Sequence, residues 1–217
     1  MTYSPKIYMG RIAKVQEILL GISLCMLAIL PLLLLYFPDV IYQYASVLYV
    51  LSLFAVTLVM SIRPLADLFP DTLWLRPLVI LRKGAGVFSA SIIVSFLLSK
   101  ILLGGGEYFA QYLTREFWSI NNYALLAHLG DVTAVLHLVT SNIISKRELG
   151  KNWKRLQKLA YVYFYAGALY EFLALKSWFA LIAISIVTGL VVEAYIRNRK
   201  KKIYDYQHLP RKSKKDC

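Results

Sequence analysis

Six apolar stretches of about 20 residues each decide what this chain can fold into, since a helix needs roughly that length to cross a bilayer. They lie at residues 16–37, 40–62, 84–103, 123–143, 156–173 and 178–196. With 59% hydrophobic and 17% charged residues, the composition excludes a water-soluble globule. We therefore predict an all-α polytopic membrane protein whose six transmembrane helices form a bundle over residues 16–196.

The positions of the basic residues predict the orientation of this bundle. Of the 25 Lys and Arg residues, all but Lys100, Arg115 and Lys176 fall in segments that share the side of the amino terminus. Because Lys and Arg accumulate in cytoplasmic loops, both termini are predicted to be cytoplasmic. The net charge of +13 is thus interpreted as a membrane orientation signal, and no nucleic-acid partner is predicted.

The segments outside the spans are short, except for the connections at residues 63–83 and 104–122. The second opens with three glycines, turns aromatic, and is expected to lie along the membrane interface as a short amphipathic piece. Residues 1–15 form a cytoplasmic amino-terminal segment, and residues 197–217 form a basic cytoplasmic tail. We expect the tail to contact anionic lipid headgroups, at about 1 kcal/mol per basic residue. A solvated tail that stops translocation is the alternative.

Motifs for soluble catalysis are absent from the sequence. It has no Gly-x-x-x-x-Gly-Lys, no Gly-x-Gly-x-x-Gly between a strand and a helix, and no His-Glu-x-x-His. Cys25 and Cys217 suggest neither a disulfide nor a thiolate metal site. We predict no catalytic residue, no metal and no enzymatic activity of the chain on its own.

Ionisable groups inside the spans are the first places to look for a site, because a buried charge is costly in a bilayer. His128 and Asp131 share a face of the fourth span, which allows either a hydrogen-bonded interfacial pair or a proton relay. His137 lies about 14 Å further along this span. We weigh it as a core histidine bonded to a neighbouring helix or as a haem or metal ligand. Glu171 and Glu193 lie nearer the ends of the fifth and sixth spans.

Two segments carry a family resemblance. Leu-Arg-Lys-Gly-Ala-Gly at residues 81–86, and Thr-Ser-Asn at 140–142 followed by Leu-Gly-Lys-Asn-Trp-Lys-Arg-Leu at 149–156, resemble the ferric-reductase-like transmembrane superfamily. Within it the chain looks most like the haem-binding membrane subunits of bacterial periplasmic methionine sulfoxide reductase systems. The resemblance covers residues 46–176. It implies a six-helix bundle in the bacterial inner membrane that holds b-type haem and passes electrons outward.

The chain departs from that family at the haem ligands. The family's ligating histidines correspond here to Phe96 in the third span and to Gln157 and Tyr170 at the fifth. Phe cannot ligate iron, an amide is a poor ligand, and Tyr ligates haem mainly as a phenolate in other settings. We therefore predict no cofactor, with b-type haem as the alternative and His137 as the deep intramembrane candidate ligand.

Aromatic side chains crowd the fifth span where the family would leave room for a porphyrin. They are Tyr161, Tyr163, Phe164, Tyr165, Tyr170 and Phe172. Their pattern suits ordinary packing between helices, and it also suits a pocket for a quinone, a pigment or a lipid tail.

These observations favour a haem-free relative of the ferric-reductase-like domain that is a structural or assembly subunit of a larger membrane complex. Its predicted partners are other membrane-protein subunits. The alternative is a transmembrane oxidoreductase subunit that uses b-type haem on non-standard ligands or another cofactor. A transporter has less support, because no interrupted helices recur in matching halves of the sequence.

Overall fold

A computed structural model of the chain describes residues 5–72, 74–119 and 123–208, and the regular structure in these ranges is entirely helical. A 3-10 turn at Glu116–Trp118 lies between α4 and α5. The α-helices are α1 Pro5–Tyr36, α2 Pro38–Leu68, α3 Leu75–Leu78, α4 Leu81–Gln111, α5 Ala124–Thr140, α6 Ile143–Leu156, α7 Leu159–Leu175 and α8 Trp178–His208.

Length and composition allow four of the described helical segments to cross a membrane. They are Tyr8–Tyr36, Gln43–Leu68, Leu75–Gln111 and Trp178–Lys200. A fifth is obtained if α5 and part of α6, which are bent by 117°, count as one broken span. The apolar helix α7 has 17 residues and rises about 26 Å, slightly less than the bilayer core of about 30 Å. The chain is therefore an all-α integral membrane protein, whereas six spans and two cytoplasmic termini stay a prediction.

Several helices extend beyond the apolar stretches from which they were predicted. The range of α4 includes the three consecutive glycines, but the backbone is not helical at Gly105, where φ is +47°, so two helical segments meet there at a kink. A new segment that begins at those glycines agrees with the sequence, and its position along the membrane interface stays a prediction. At the other end, α8 continues to His208, so the first part of the basic tail is helical. Residues 209–217 lie outside the described residues.

Helices α2, α4, α5, α7 and α8 form a closed ring in which each packs against the next, and α1 packs on the outside against α4. The interior of the ring is an apolar core that includes Met60, Val94, Phe164 and Val187. Fully buried alanines such as Ala90 and Ala168 let the helix backbones approach closely, as is usual where helices meet in a membrane.

A second core lies between α1, α2 and α4. Leu30 and Leu34 of α1 contact Phe88, Ile92 and Phe96 of α4 there. The outer surface of the bundle is apolar as well, with exposed Leu24, Val47 and Ile182. Such a surface suits contact with lipid tails rather than with water.

We expect Ala168→Leu to destabilise the bundle, because a larger side chain overfills a fully buried position at a cost of about 1–3 kcal/mol. The measurement is the thermal unfolding midpoint of the detergent-solubilised protein. Ala174→Leu is the matched control on the exposed side of the same helix. Equal midpoints for the two variants would contradict this packing of α7.

Candidate functional site

A cavity of about 340 Å³ opens where α4 begins, α5 ends and α6 turns away. Its lining includes His137 from α5, Gln157 after α6, Arg82 and Lys83 from α4, and Lys146 from α6. The structure thus brings together His137 and Gln157, two site residues predicted on separate grounds. The three cations were not predicted to be part of a site.

Local sequence explains how α6 is set across the end of α5. The Asn142 side chain accepts a hydrogen bond from the Ser145 backbone N–H at 2.6 Å, and so caps the amino terminus of α6. The Trp153 indole N–H donates to the Thr140 carbonyl at 3.0 Å, which ties α6 back to the last turn of α5. Gly150 provides a kink between these two contacts, with φ at +48°.

His137 packs directly against α4. A Cβ atom at Gly86 would lie only 2.9 Å from His137 Nε2, so a glycine is needed for this contact. The imidazole makes no hydrogen bond with another described residue, so the neighbouring-helix partner expected for a core histidine is not found among them. One ring edge of His137 instead lines the cavity.

The centre of the ring holds a buried polar cluster. The Tyr163 hydroxyl lies 2.7 Å from Ser89 Oγ and 3.2 Å from Ser52 Oγ, and the two serine oxygens are 2.9 Å apart. These hydroxyls join α2, α4 and α7 and satisfy one another where water is excluded. Sequence reasoning identified Tyr163 only as an aromatic residue and missed both serines, although a serine inside an apolar span was a usable signal.

Phe96 lies in the second core, between α1, α2 and α4. It is 3% exposed and stacks on Tyr49 with ring centroids 4.9 Å apart. Ile92, one turn before it, is fully buried in the same core. The position at which the resemblance expects a haem ligand is therefore closed by apolar packing.

Tyr170 and Glu171 lie near the end of α7. Tyr170 is half-buried and has no hydrogen bond or ring contact with another described residue. Glu171 is 6% exposed, and its Oε2 atom has no hydrogen-bond partner in the described part of the chain.

The positions at which the resemblance expects haem ligands offer few strong donor atoms. Phe96 offers no donor atom and is packed on Tyr49, while Tyr170 carries a phenol that bonds to no other described residue. Gln157 offers an amide at the cavity, which leaves His137 as the one imidazole there. A single histidine can hold a five-coordinate haem, whereas a low-spin haem needs a second strong axial donor.

An aromatic cluster surrounds His128 at the opposite end of α5. The imidazole stacks on Phe117 with ring centroids 3.4 Å apart. The ring centroids of Tyr112 and Trp118 lie 6.0 and 5.9 Å from that of the imidazole. The Trp118 indole N–H donates to the Tyr112 carbonyl at 2.9 Å, which fixes the turn between α4 and α5. A cavity of about 530 Å³ lies beside this cluster.

The structure does not join His128 to Asp131 by a hydrogen bond. His128 Nδ1 is buried and finds no partner among the described residues. The ammonium group of Lys100, on α4, interacts electrostatically with both His128 and Asp131. The two residues that the sequence placed on one helical face therefore share a neighbouring cation. Within the described residues, no group of His, Cys, Asp and Glu side chains could hold a metal ion.

Replacing Ser89 by Ala should remove one hydroxyl of the central cluster and leave Tyr163 with a single, longer hydrogen bond. We expect a loss of about 1 kcal/mol, which lowers the unfolding midpoint by about 2–4 °C. Ser91→Ala is the matched control, because Ser91 is equally buried but bonds only to the Val87 carbonyl of its own helix. The structure would be contradicted if the control variant lost as much stability.

Comparisons with known proteins give one partial likeness. Over 68 residues the chain is 41% identical to the protein-methionine-sulfoxide reductase heme-binding subunit MsrQ of Brucella anthropi. The match covers 29% of this chain and 31% of that relative, so it spans less than a third of either protein. No protein-family model and no solved structure matches the chain. The chain is therefore an integral membrane protein with a partial similarity to MsrQ.

Proposed function

We propose that this protein is a haem-free subunit of a membrane redox assembly, with a structural or assembly role and no catalytic activity of its own. The partial similarity to a heme-binding subunit supports the redox setting. The packing of Phe96 on Tyr49 carries the haem-free part of the proposal, because an aromatic core occupies the expected ligand position. The central hydroxyl cluster adds support, since it joins α2, α4 and α7 through the protein's own side chains.

The spectrum of the purified protein tests this function. We expect no b-type Soret or alpha band in a reduced-minus-oxidised difference spectrum after expression with added haem precursor. A b-type spectrum approaching one haem per chain would contradict the proposal. A heme-binding MsrQ expressed and purified in the same way is the positive control.

The second candidate is an oxidoreductase subunit with haem on non-standard ligands or with another cofactor. The observation that favours it is the cavity shared by His137 and Gln157. This candidate requires a redox signal that disappears in His137→Ala and persists in His128→Ala, whose imidazole lies at the other end of α5. An identical spectrum in the two variants would exclude His137 as the ligand.

For the topology we propose six spans in a bacterial inner membrane, with both termini in the cytoplasm. The asymmetric distribution of Lys and Arg supports it. In this arrangement α5 and α7 are short spans, and the basic helix α6 lies along the inner surface, consistent with its 117° bend from α5. The partners would be other membrane subunits, and the basic tail would contact anionic headgroups.

Single cysteines introduced at Arg115 and Lys151 test this orientation in a background lacking Cys25 and Cys217. An impermeant maleimide should label the residue-115 cysteine in intact spheroplasts, and the residue-151 cysteine only after the membrane is permeabilised. Both native side chains are exposed, so accessibility does not depend on unfolding. Labelling of both cysteines in intact spheroplasts would contradict the topology.

A further inference from the structure

Positive charge is concentrated around the cavity at the end of α5. Arg82 and Lys83 approach it from α4, Lys146 approaches from α6, and the described lining contains neither Asp nor Glu. Arg63 adds a further repulsive interaction with Arg82. Like charges held around about 340 Å³ repel one another, and a compact anion between them would relieve that repulsion.

Two of the three cations of this cavity, Arg82 and Lys146, are restrained by neighbouring groups and still have unused donors. Arg82 Nε donates to the Val59 carbonyl at 3.0 Å, which fixes the guanidinium, while its terminal nitrogens bond to no other described residue. Lys146 Nζ lies 5.4 Å from the centroid of the Trp153 ring, which restrains the ammonium at the rim. The cavity therefore presents preformed charge-assisted donors.

We propose that this cavity binds a phosphate-bearing anion through Arg82, Lys83 and Lys146. A phosphate group has several acceptor oxygens and matches a guanidinium and two ammonium groups better than a single carboxylate does. The lining also includes the apolar residues Val59, Val79 and Ala160, which suit the glycerol and first acyl carbons of a lipid. Basic pockets between transmembrane helices bind lipid headgroups in this way. The inference does not depend on whether the protein is haem-free.

Phosphatidylglycerol and inorganic phosphate share this chemistry, so both are used as probes on the full-length protein in a neutral detergent. Diacylglycerol is the uncharged lipid control. An apparent Kd comes from the concentration dependence of the thermal unfolding midpoint, because a ligand that binds the folded state raises it. Stabilisation by phosphatidylglycerol alone assigns a lipid headgroup. Stabilisation by both probes assigns a site open to soluble phosphate.

The double variant Lys83→Gln and Lys146→Gln should raise the apparent Kd by at least about tenfold, because two charge-assisted contacts are lost. Lys151→Gln with Arg155→Gln is the matched control, since it removes the same charge from exposed positions on α6 that lie outside the cavity lining. We expect this control to change the Kd by less than about twofold, and Lys83→Arg with Lys146→Arg to retain binding.

Two results would overturn the proposal. One is that neither phosphatidylglycerol nor phosphate stabilises the protein more than diacylglycerol does. The other is an equal loss of affinity in the two Gln double variants, which would assign the effect to diffuse surface charge instead of to the cavity. Both double variants alter exposed side chains, so each is expected to fold.

Discussion

The bilayer does not hydrogen-bond to the backbone, and this constraint governs the whole structure. Each spanning segment must satisfy its N–H and C=O groups internally, which makes the described protein helical. The same constraint applies to polar side chains. The hydroxyls of Ser91, Ser95 and Thr133 donate hydrogen bonds to backbone carbonyls of their own helices.

The central hydroxyl cluster satisfies polar side chains in the same way, but by hydrogen bonds between helices. Ser52, Ser89 and Tyr163 come from three helices and bond only at one depth of the bundle, so they fix the register of α2, α4 and α7. Apolar packing alone would not specify that register well, because lipid tails and helix surfaces are equally apolar. The cluster thus gives Tyr163 a structural role between these helices.

Charge and aromatic residues divide the bundle into two chemically different ends. The end near Asn142 gathers cations around a cavity, with His137 and Gln157 among its lining residues. The other end gathers aromatic rings around His128, with Lys100 near Asp131. This polarity agrees with the orientation proposed from the basic residues, because cationic groups collect at the predicted cytoplasmic face.

The sequence by itself determined the all-α membrane class, because apolar stretches of this length leave no other way to satisfy the backbone. It also identified His128 and His137, which depend only on residue type and position in a span, whereas the interest in Phe96, Gln157 and Tyr170 came from the family resemblance alone. Span ends were less predictable, as α4 and α8 continue past their apolar segments.

Only the tertiary structure decided which of these residues meet. Hydropathy and spacing place a residue along its own helix, but not the neighbour that its face contacts. The meeting of Arg82, His137 and Lys146 at one cavity depends on the bend between α5 and α6. In the same way, Phe96 stacks on Tyr49 and Tyr163 meets two serines because of how the helices pack, a long-range property that no local pattern encodes.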